Sequence, residues 1–125
     1  MFYDMIKCPD KMNQALHNIT ETLKEFSIAL IEAGCAIMFD TLYSSKTILS
    51  PKMWDKVEGP LVEDLAKTVR EHGAEVMVHN CGDGIYLKEQ IARMHPIAFS
   101  LDHLPPDCKT LEEMKAMYGD QTTFI

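Results

Sequence analysis

The residues best suited to bind a metal ion are His79 and Cys81, which lie two positions apart at the end of an apolar segment. Side chains alternate between the two faces of a β-strand, so we expect both residues to project from the same face. A glycine-rich turn at residues 82–84 follows directly. An imidazole and a thiolate together favour Zn²⁺ over Mg²⁺ or Ca²⁺. Two ligands do not complete a zinc site, and the alternative is a packed histidine beside an inert thiol.

Two aspartates follow other apolar segments and are candidate catalytic residues. Asp40 and Asp102 are expected at the carboxyl ends of strands, where barrel enzymes keep their working groups. Each could orient a ligand, hydrogen-bond to His79, or cap the turn that follows. Cys108 lies in the loop after Asp102 and could approach His79 and Cys81 from the same side. The alternative for Cys108 is an exposed loop thiol.

Composition indicates one compact domain and excludes several partners. The chain has 125 residues, of which 46% are hydrophobic, and this suits a single α/β domain. A net charge of −7 argues against nucleic acid or an anionic membrane as a partner. Because no apolar run could span a bilayer and no export signal is visible, we expect a cytoplasmic protein. Its four cysteines are then expected to be thiols or ligands rather than disulfides.

The first 73 residues predict a helix, a buried strand and two further helical pieces. We expect Asp10 to cap the first helix and Gly34 to end it. A strand is predicted at residues 35–39, with Cys35 as a packing residue. Ser50 and Pro51 should begin the next helix, which we expect to break at residues 59–60 and resume as far as Gly73. The predicted apolar stripe of the first helix consists of Met12, Leu16, Ile19, Leu23, Phe26, Leu30 and Ala33.

The remaining sequence repeats an alternation of strands and helices. Strands are predicted at residues 75–79, 97–101 and 122–125, with helices at 85–94 and 110–118. Thr110 and Glu113 should form a capping box. This order implies parallel strands joined by right-handed crossovers with the helices outside. It fits either an eight-stranded (β/α)8 TIM barrel or an open doubly wound sheet.

The order of elements predicts a partial domain. The chain begins with a helix that has no strand before it, and it finishes inside an apolar strand. About four parallel strands with outer helices correspond to roughly half of an eight-stranded barrel. We therefore expect residues 1–125 to form a single partial barrel domain. Its open strand edges and uncovered inner face predict a homo-oligomer.

Four segments together resemble the uroporphyrinogen decarboxylase superfamily, in particular its methylcobamide:coenzyme M methyltransferase branch. They are residues 30–40 (LIEAGCAIMFD), 49–51 (LSP) with Pro60, 78–83 (VHNCGD) and 100–102 (SLD). The His-x-Cys-Gly element is the most specific of them, because it distinguishes the methyltransferase branch from the decarboxylases. The resemblance extends over nearly the whole chain, from about Cys8 to Ile125, and identifies the chain with the second half of the barrel.

The resemblance implies a zinc-dependent transfer of a methyl group from a methylcorrinoid to a small thiol such as coenzyme M. The donor would be a corrinoid protein or methylcobalamin. His79 and Cys81 would be zinc ligands, and in the methyltransferases a further cysteine, beyond the position of Ile125, completes the site. One alternative is a uroporphyrinogen decarboxylase-like protein of tetrapyrrole metabolism, which needs no metal but requires arginines around its substrate. Another is a truncated, non-catalytic family member, so whether this chain alone is an enzyme stays open.

Overall fold

The protein forms one parallel β-sheet with helices packed on one of its faces. The computed structural model describes residues 2–125, and within them four strands lie in chain order across the sheet: β1 (Ile37–Asp40), β2 (Val76–Asn80), β3 (Ala98–Leu101) and β4 (Thr123–Phe124). Each strand is parallel to its neighbour. A doubly wound sheet would reverse its strand order at a switch point, whereas consecutive barrel strands keep it. The predicted partial TIM barrel with about four parallel strands is confirmed.

The helices connect successive strands or, in the case of the first two, precede β1 in the chain. They are α1 (Phe2–Lys7), α2 (Pro9–Glu32), α3 (Pro51–Met53), a π-helical segment (Trp54–Glu58), α4 (Gly59–Glu71), α5 (Leu87–Met94) and α6 (Leu111–Tyr118). The predicted break at residues 59–60 is wrong, because helical conformation continues through Gly59 into α4. A side chain at Gly59 would meet the Arg93 guanidinium at 3.0 Å and the Trp54 ring at 3.1 Å, so this glycine permits close helix packing. In residues 2–125 no helix is both long enough and apolar enough to cross a membrane.

Most predicted helix ends are confirmed by the backbone. Gly34 and Gly73 follow their helices with φ angles of 81° and 80°, values that glycine adopts without strain. The Ser50 hydroxyl accepts a hydrogen bond from the Met53 amide at 3.3 Å, and the Thr110 hydroxyl accepts one from the Glu113 amide at 3.2 Å.

Two expectations near the first helix and strand are wrong. Cys8, not Asp10, occupies the N-cap position of α2, and Pro9 fills the first turn. Proline at this position needs no hydrogen-bond acceptor, so the helix can begin without a side-chain cap. The first strand begins at Ile37 rather than at Cys35, whose side chain is exposed.

Helix α2 does not bury the apolar stripe that its sequence predicts. The buried side chains of α2 are Thr20 and Ser27, which face α4 with the partly buried Lys24. Lys24 forms ion pairs with Glu21 of its own helix and with Asp64 of α4. The middle of the predicted stripe is instead largely exposed, with exposed fractions of 55% for Ile19, 42% for Leu23 and 60% for Phe26.

The hydrophobic core lies between the sheet and the helices. In β2 the residues alternate between fully buried and half-buried positions, as expected for a strand with one covered face. The core consists mainly of Ile37, Leu49, Trp54, Val62, Ala66, Val69, Val76, Val78, Ile85, Tyr86, Leu87, Ile91, Met94, Phe99, Cys108, Met114 and Tyr118. The alternate side chains of each strand lie on the opposite face of the sheet, which the helices do not cover.

We expect Thr122→Val to stabilise the protein. The Thr122 residue is 6% exposed, and its hydroxyl is the buried side-chain oxygen without a hydrogen-bond partner in the described part of the chain. Burying an unpaired hydroxyl is unfavourable, so a valine of the same shape should raise the free energy of unfolding by about 1 kcal/mol. Urea denaturation measures the change.

The matched control is Thr41→Val. Thr41 is also 6% exposed, but its hydroxyl donates to the His79 carbonyl and accepts from the Gln90 amide at 2.7 Å. This variant should lose stability because the Gln90 amide is left without its partner. A destabilised Thr122→Val variant would mean that the Thr122 hydroxyl has a partner in solution.

Candidate functional site

One row of polar side chains lies across the face of the sheet that the helices leave open. Asp40, His79 and Ser100 are register partners in β1, β2 and β3. Register partners in neighbouring parallel strands share a face and lie about 4.8 Å apart along the hydrogen-bonding direction. Asp40 is exposed, and the other two are half-buried. The row lies at the carboxyl ends of the strands, where barrel enzymes place their chemistry.

His79 is held by a neighbour that the sequence analysis missed. Its Nδ1 atom lies 3.1 Å from the Ser100 hydroxyl oxygen. When Nδ1 carries the ring proton and donates to Ser100, the lone pair of Nε2 is free to bind a metal ion. The sequence offered one signal for this contact, because His79 and Ser100 both lie near the carboxyl ends of neighbouring apolar strands.

Asn80 occupies the position between the two candidate ligands and points into the protein. It is fully buried, and its Nδ2 group donates to the carbonyls of Thr41 at 2.9 Å and Ser44 at 3.3 Å and to the side-chain oxygen of Gln90 at 3.2 Å. Its Oδ1 atom accepts a hydrogen bond from the Gly82 amide at 2.9 Å. One side chain therefore joins the loop after β1, the turn after Cys81 and helix α5.

Gly82 allows the chain to turn immediately after Cys81. A side chain at this position would meet the Leu42 carbonyl oxygen at 2.8 Å and the Asn80 side-chain oxygen at 3.0 Å. The first atom belongs to the loop that Asn80 holds and the second to the buried Asn80 side chain, so neither can move away cheaply. Cys81 is thereby held half-buried directly after the end of β2, one alternation beyond His79.

A second buried network of hydrogen bonds holds the loop after β1 in place. The Trp54 indole donates to the Ser44 hydroxyl at 2.9 Å, and that hydroxyl donates to the Glu58 carboxylate. Burial raises the pKa of Glu58, and the hydrogen bond from Ser44 opposes this shift. Trp54 and Glu58 begin and end the π-helical segment, a conformation found mostly where a helix accommodates a special contact. Nothing in the sequence analysis singled out Glu58.

The two candidate aspartates are placed differently. Asp40 lies in register with His79, and its Oδ1 atom accepts a hydrogen bond from the Leu42 amide at 3.2 Å. It therefore caps its turn while remaining exposed beside His79. Asp102 follows Leu101, the register partner of Asn80, and is exposed at the rim of a cavity of about 640 Å³ between β4 and α6.

Cys108 lies in the hydrophobic core rather than beside the candidate ligands. It is 7% exposed, and its sulfur is 3.7 Å from the Met117 sulfur. Burial raises the pKa of the Cys108 thiol, and the nearby Asp107 and Glu113 carboxylates raise it further. Neither the suggested approach to His79 and Cys81 nor the alternative of an exposed loop thiol is correct.

The donor types at this site suit zinc, but their number is too small. Zinc sites use histidine nitrogen and cysteine sulfur, and a catalytic site has three protein ligands. In residues 2–125, no group of three or more His, Cys, Asp or Glu side chains is arranged to hold a metal ion. His79 and Cys81 can therefore supply two ligands, and any further protein ligand would have to come from elsewhere.

Comparison with known proteins gives one result. The family model described as uroporphyrinogen decarboxylase (URO-D) matches residues 1–124. Comparisons with curated proteins and with solved structures gave no significant match. The matched region includes the whole polar row and both networks beneath it, but the match does not separate decarboxylases from methyltransferases.

We expect Asn80→Ala to destabilise the protein by about 2–4 kcal/mol, because it leaves several buried polar groups without partners. The groups affected are the Gly82 amide and the acceptors of the Asn80 Nδ2 group. Chemical denaturation measures the loss. The control is Asn13→Ala at an exposed position of α2, which should change stability by less than about 0.5 kcal/mol. Equal effects of the two substitutions would contradict the role given to Asn80.

Glu58 should make stability depend on pH in a defined direction. A carboxyl group whose pKa is raised by folding contributes stability that is present below its unfolded pKa, about 4.3, and lost as pH rises through the folded value. The free energy of unfolding of the wild type, relative to that of Glu58→Gln, should therefore decrease as the pH rises from about 4 to about 7.

Denaturation of both proteins across this pH range tests the effect of Glu58. Glutamine can still accept the hydrogen bond from Ser44, so the network keeps its shape. Glu25→Gln, at an exposed position of α2, is the matched control. A relative stability that rises with pH would show that the Glu58 pKa is lowered in the folded protein.

Proposed function

Because the chain belongs to the uroporphyrinogen decarboxylase family, we propose that it carries part of a zinc-dependent methyltransferase site. In this proposal His79 and Cys81 bind the metal, and a small thiol accepts a methyl group from a methylcorrinoid. The observation that carries the proposal is the position of the two residues. They are separated by one residue at the carboxyl end of β2, where His79 lies on the open face of the sheet.

The hydrogen bond between His79 and Ser100 supports a ligand role for His79. A metal-binding histidine usually donates its other ring N–H to a fixed acceptor, which sets the tautomer and the ring orientation. The Ser100 hydroxyl is placed to be that acceptor for Nδ1. Asn80 has a corresponding effect on the backbone, because its buried amide holds the residues on both sides of Cys81.

The aspartates complete the proposed division of roles. A bound zinc ion would lower the pKa of the acceptor thiol, so that a thiolate exists at neutral pH. Asp40 lies beside His79 and is exposed, so its carboxylate can accept a hydrogen bond from an incoming thiol or water. Asp102, directly after β3 at the same end of the sheet, is proposed to orient the same substrate.

The positions of the arginines favour methyl transfer over tetrapyrrole decarboxylation. The chain has two arginines, Arg70 and Arg93, and both lie on helices. Arg70 donates to the Met94 carbonyl, and Arg93 forms ion pairs with Asp55 and Glu63. Both guanidinium groups are thus engaged in the helical layer. A tetrapyrrole would need cations near the strand ends to bind its carboxylates.

The shortage of ligands limits what this chain should do alone. Two protein ligands leave the other positions of a tetrahedral site to water, to the substrate or to another polypeptide. We expect weak zinc binding and no methyl transfer at an enzymatic rate by this chain without such a contribution. The proposed activity belongs to an assembly that supplies the missing ligand.

We expect Cys81→Ser and His79→Ala each to abolish metal binding, because each removes one of only two protein ligands. Co²⁺ is a suitable probe, since a bound thiolate produces a charge-transfer absorption band. Titration of the wild type should show this band, and Cys81→Ser should not. Ser100→Ala should weaken binding about 10-fold, because it removes the acceptor that orients the ring.

Cys35→Ser is the matched control for these measurements. It also removes a thiol, but an exposed one at a position before β1 and away from the polar row. Identical Co²⁺ spectra for Cys81→Ser and the wild type would overturn the metal assignment. Decarboxylation of uroporphyrinogen without metal, unaffected by Cys81→Ser, would establish the other branch of the family. Methyl transfer from methylcobalamin by this chain alone, lost in His79→Ala, would show that two ligands suffice.

A further inference from the structure

Two methionines lie side by side on the open face of the sheet. Met38 in β1 and Met77 in β2 are register partners, one row away from Asp40 and His79 toward the amino ends of the strands. Met38 is 47% exposed and Met77 is half-buried, and neither belongs to the hydrophobic core between the sheet and the helices. The open face therefore carries a pair of neighbouring thioether sulfurs, next to the row of polar side chains.

His79 lies on the same face as these methionines. It follows Met77 by two residues in β2, and the alternation along a strand places the two side chains on one face, about 6.6 Å apart. The burial of β2 agrees, because Met77 and His79 are half-buried and the residues on either side of each are fully buried. Met38 is the diagonal neighbour of His79, about 8 Å away by the same strand spacings. The three residues therefore form a compact triangle.

Small neighbouring side chains leave room for the three donor atoms to approach one another. Ala98, the register partner of Met77 in β3, contributes only a methyl group to the open face. Ser100 lies beside His79 and engages the ring through Nδ1, so the Nε2 atom is available. A methionine side chain is unbranched with three rotatable bonds, and its sulfur can move toward the imidazole. Two sulfurs and one nitrogen can thus reach a common point.

We propose that Met38, Met77 and His79 form a binding site for Cu⁺. A thioether is an uncharged, polarizable donor that favours this soft monovalent ion, and imidazole also binds copper. Protein sites for Zn²⁺ use thiolate, imidazole and carboxylate ligands instead. The two methionines therefore distinguish this site from the proposed zinc site, which uses His79 together with Cys81.

The copper site does not rest on the proposed methyltransferase function, but the two sites share one atom. The lone pair of His79 Nε2 can bind only one metal ion at a time. Cu⁺ and Zn²⁺ would therefore exclude one another on the same chain. If His79 holds zinc in the proposed reaction, Cu⁺ bound through the methionines would inhibit that reaction by occupying the ring nitrogen.

Titration with Cu⁺ tests the site, with ascorbate and without oxygen so that the ion stays reduced. Thiolates also bind Cu⁺. The titration therefore uses a chain in which the exposed Cys8 and Cys35 and the half-buried Cys81 are replaced by serine. A chromophoric Cu⁺ chelator reports the affinity by competition. This chain should bind one Cu⁺ ion.

Met38→Leu, Met77→Leu and His79→Ala, each made in that chain, should weaken Cu⁺ binding by about 10-fold or more. Losing a metal ligand should cost at least as much as losing a supporting contact, which has an effect of that size. Leucine conserves the volume and apolar character of methionine, so side chains that serve only in packing would give no change. In NMR spectra of methyl-labelled methionine, Cu⁺ should shift the signals of Met38 and Met77.

Met117→Leu is the matched control, because Met117 is also 47% exposed but lies on α6. It should leave Cu⁺ binding unchanged. Equal Cu⁺ affinity in the starting chain and in both Met38→Leu and Met77→Leu would overturn the proposal, and so would an equal loss in Met117→Leu. In the chain with its cysteines, Met77→Leu should keep the Co²⁺ band of the wild type. Loss of that band would contradict the proposal, because Met77 would then act on the whole site and not as a soft ligand.

Discussion

The buried amide of Asn80 is the contact on which the arrangement at the carboxyl end of the sheet depends. It bonds to the carbonyls of Thr41 and Ser44, to the side chain of Gln90 and to the backbone of Gly82. These groups belong to three segments, the loop after β1, the turn after Cys81 and helix α5, which would otherwise be independent of one another. A buried amide that lacks its partners is costly, so the three segments hold their relative positions as long as Asn80 is satisfied. The positions of His79 and Cys81 follow from that arrangement.

The alternation of side chains along β2 separates the polar groups that stabilise the fold from the polar groups that can bind a ligand. Asn80 faces the helices, where its hydrogen bonds are made within the protein and contribute to stability. His79 faces the open side, where its free ring nitrogen can meet a ligand, and Cys81 follows the strand as a half-buried residue. The Ser44–Glu58 pair continues the structural side, with a carboxyl group whose pKa is raised by burial. The raised carboxyl pKa therefore belongs to a residue that supports the loop after β1.

The partial barrel determines where the candidate site is accessible. Its four parallel strands leave an inner face that the helices do not cover, and Met38 of β1 is 47% exposed there. Asp40, His79 and Ser100 lie across the same face at the carboxyl ends of their strands. A ligand can therefore reach these side chains without any movement of the helices.

The sequence alone determined the features that depend on neighbouring residues. Strand periodicity and glycine positions predicted the parallel sheet with outer helices and the carboxyl-terminal ends of α2 and α4, whereas the shared side of His79 and Cys81 stays a prediction. Tertiary contacts decided the rest. Asn80 meets Thr41 across 39 positions, and His79 meets Ser100 across 21. The buried side of α2 carries Thr20 and Ser27 because α4 lies there, and Cys108 is buried because its loop packs against Met117 of α6. Periodicity shows which residues share a face, but only the packed structure determines which face another element covers.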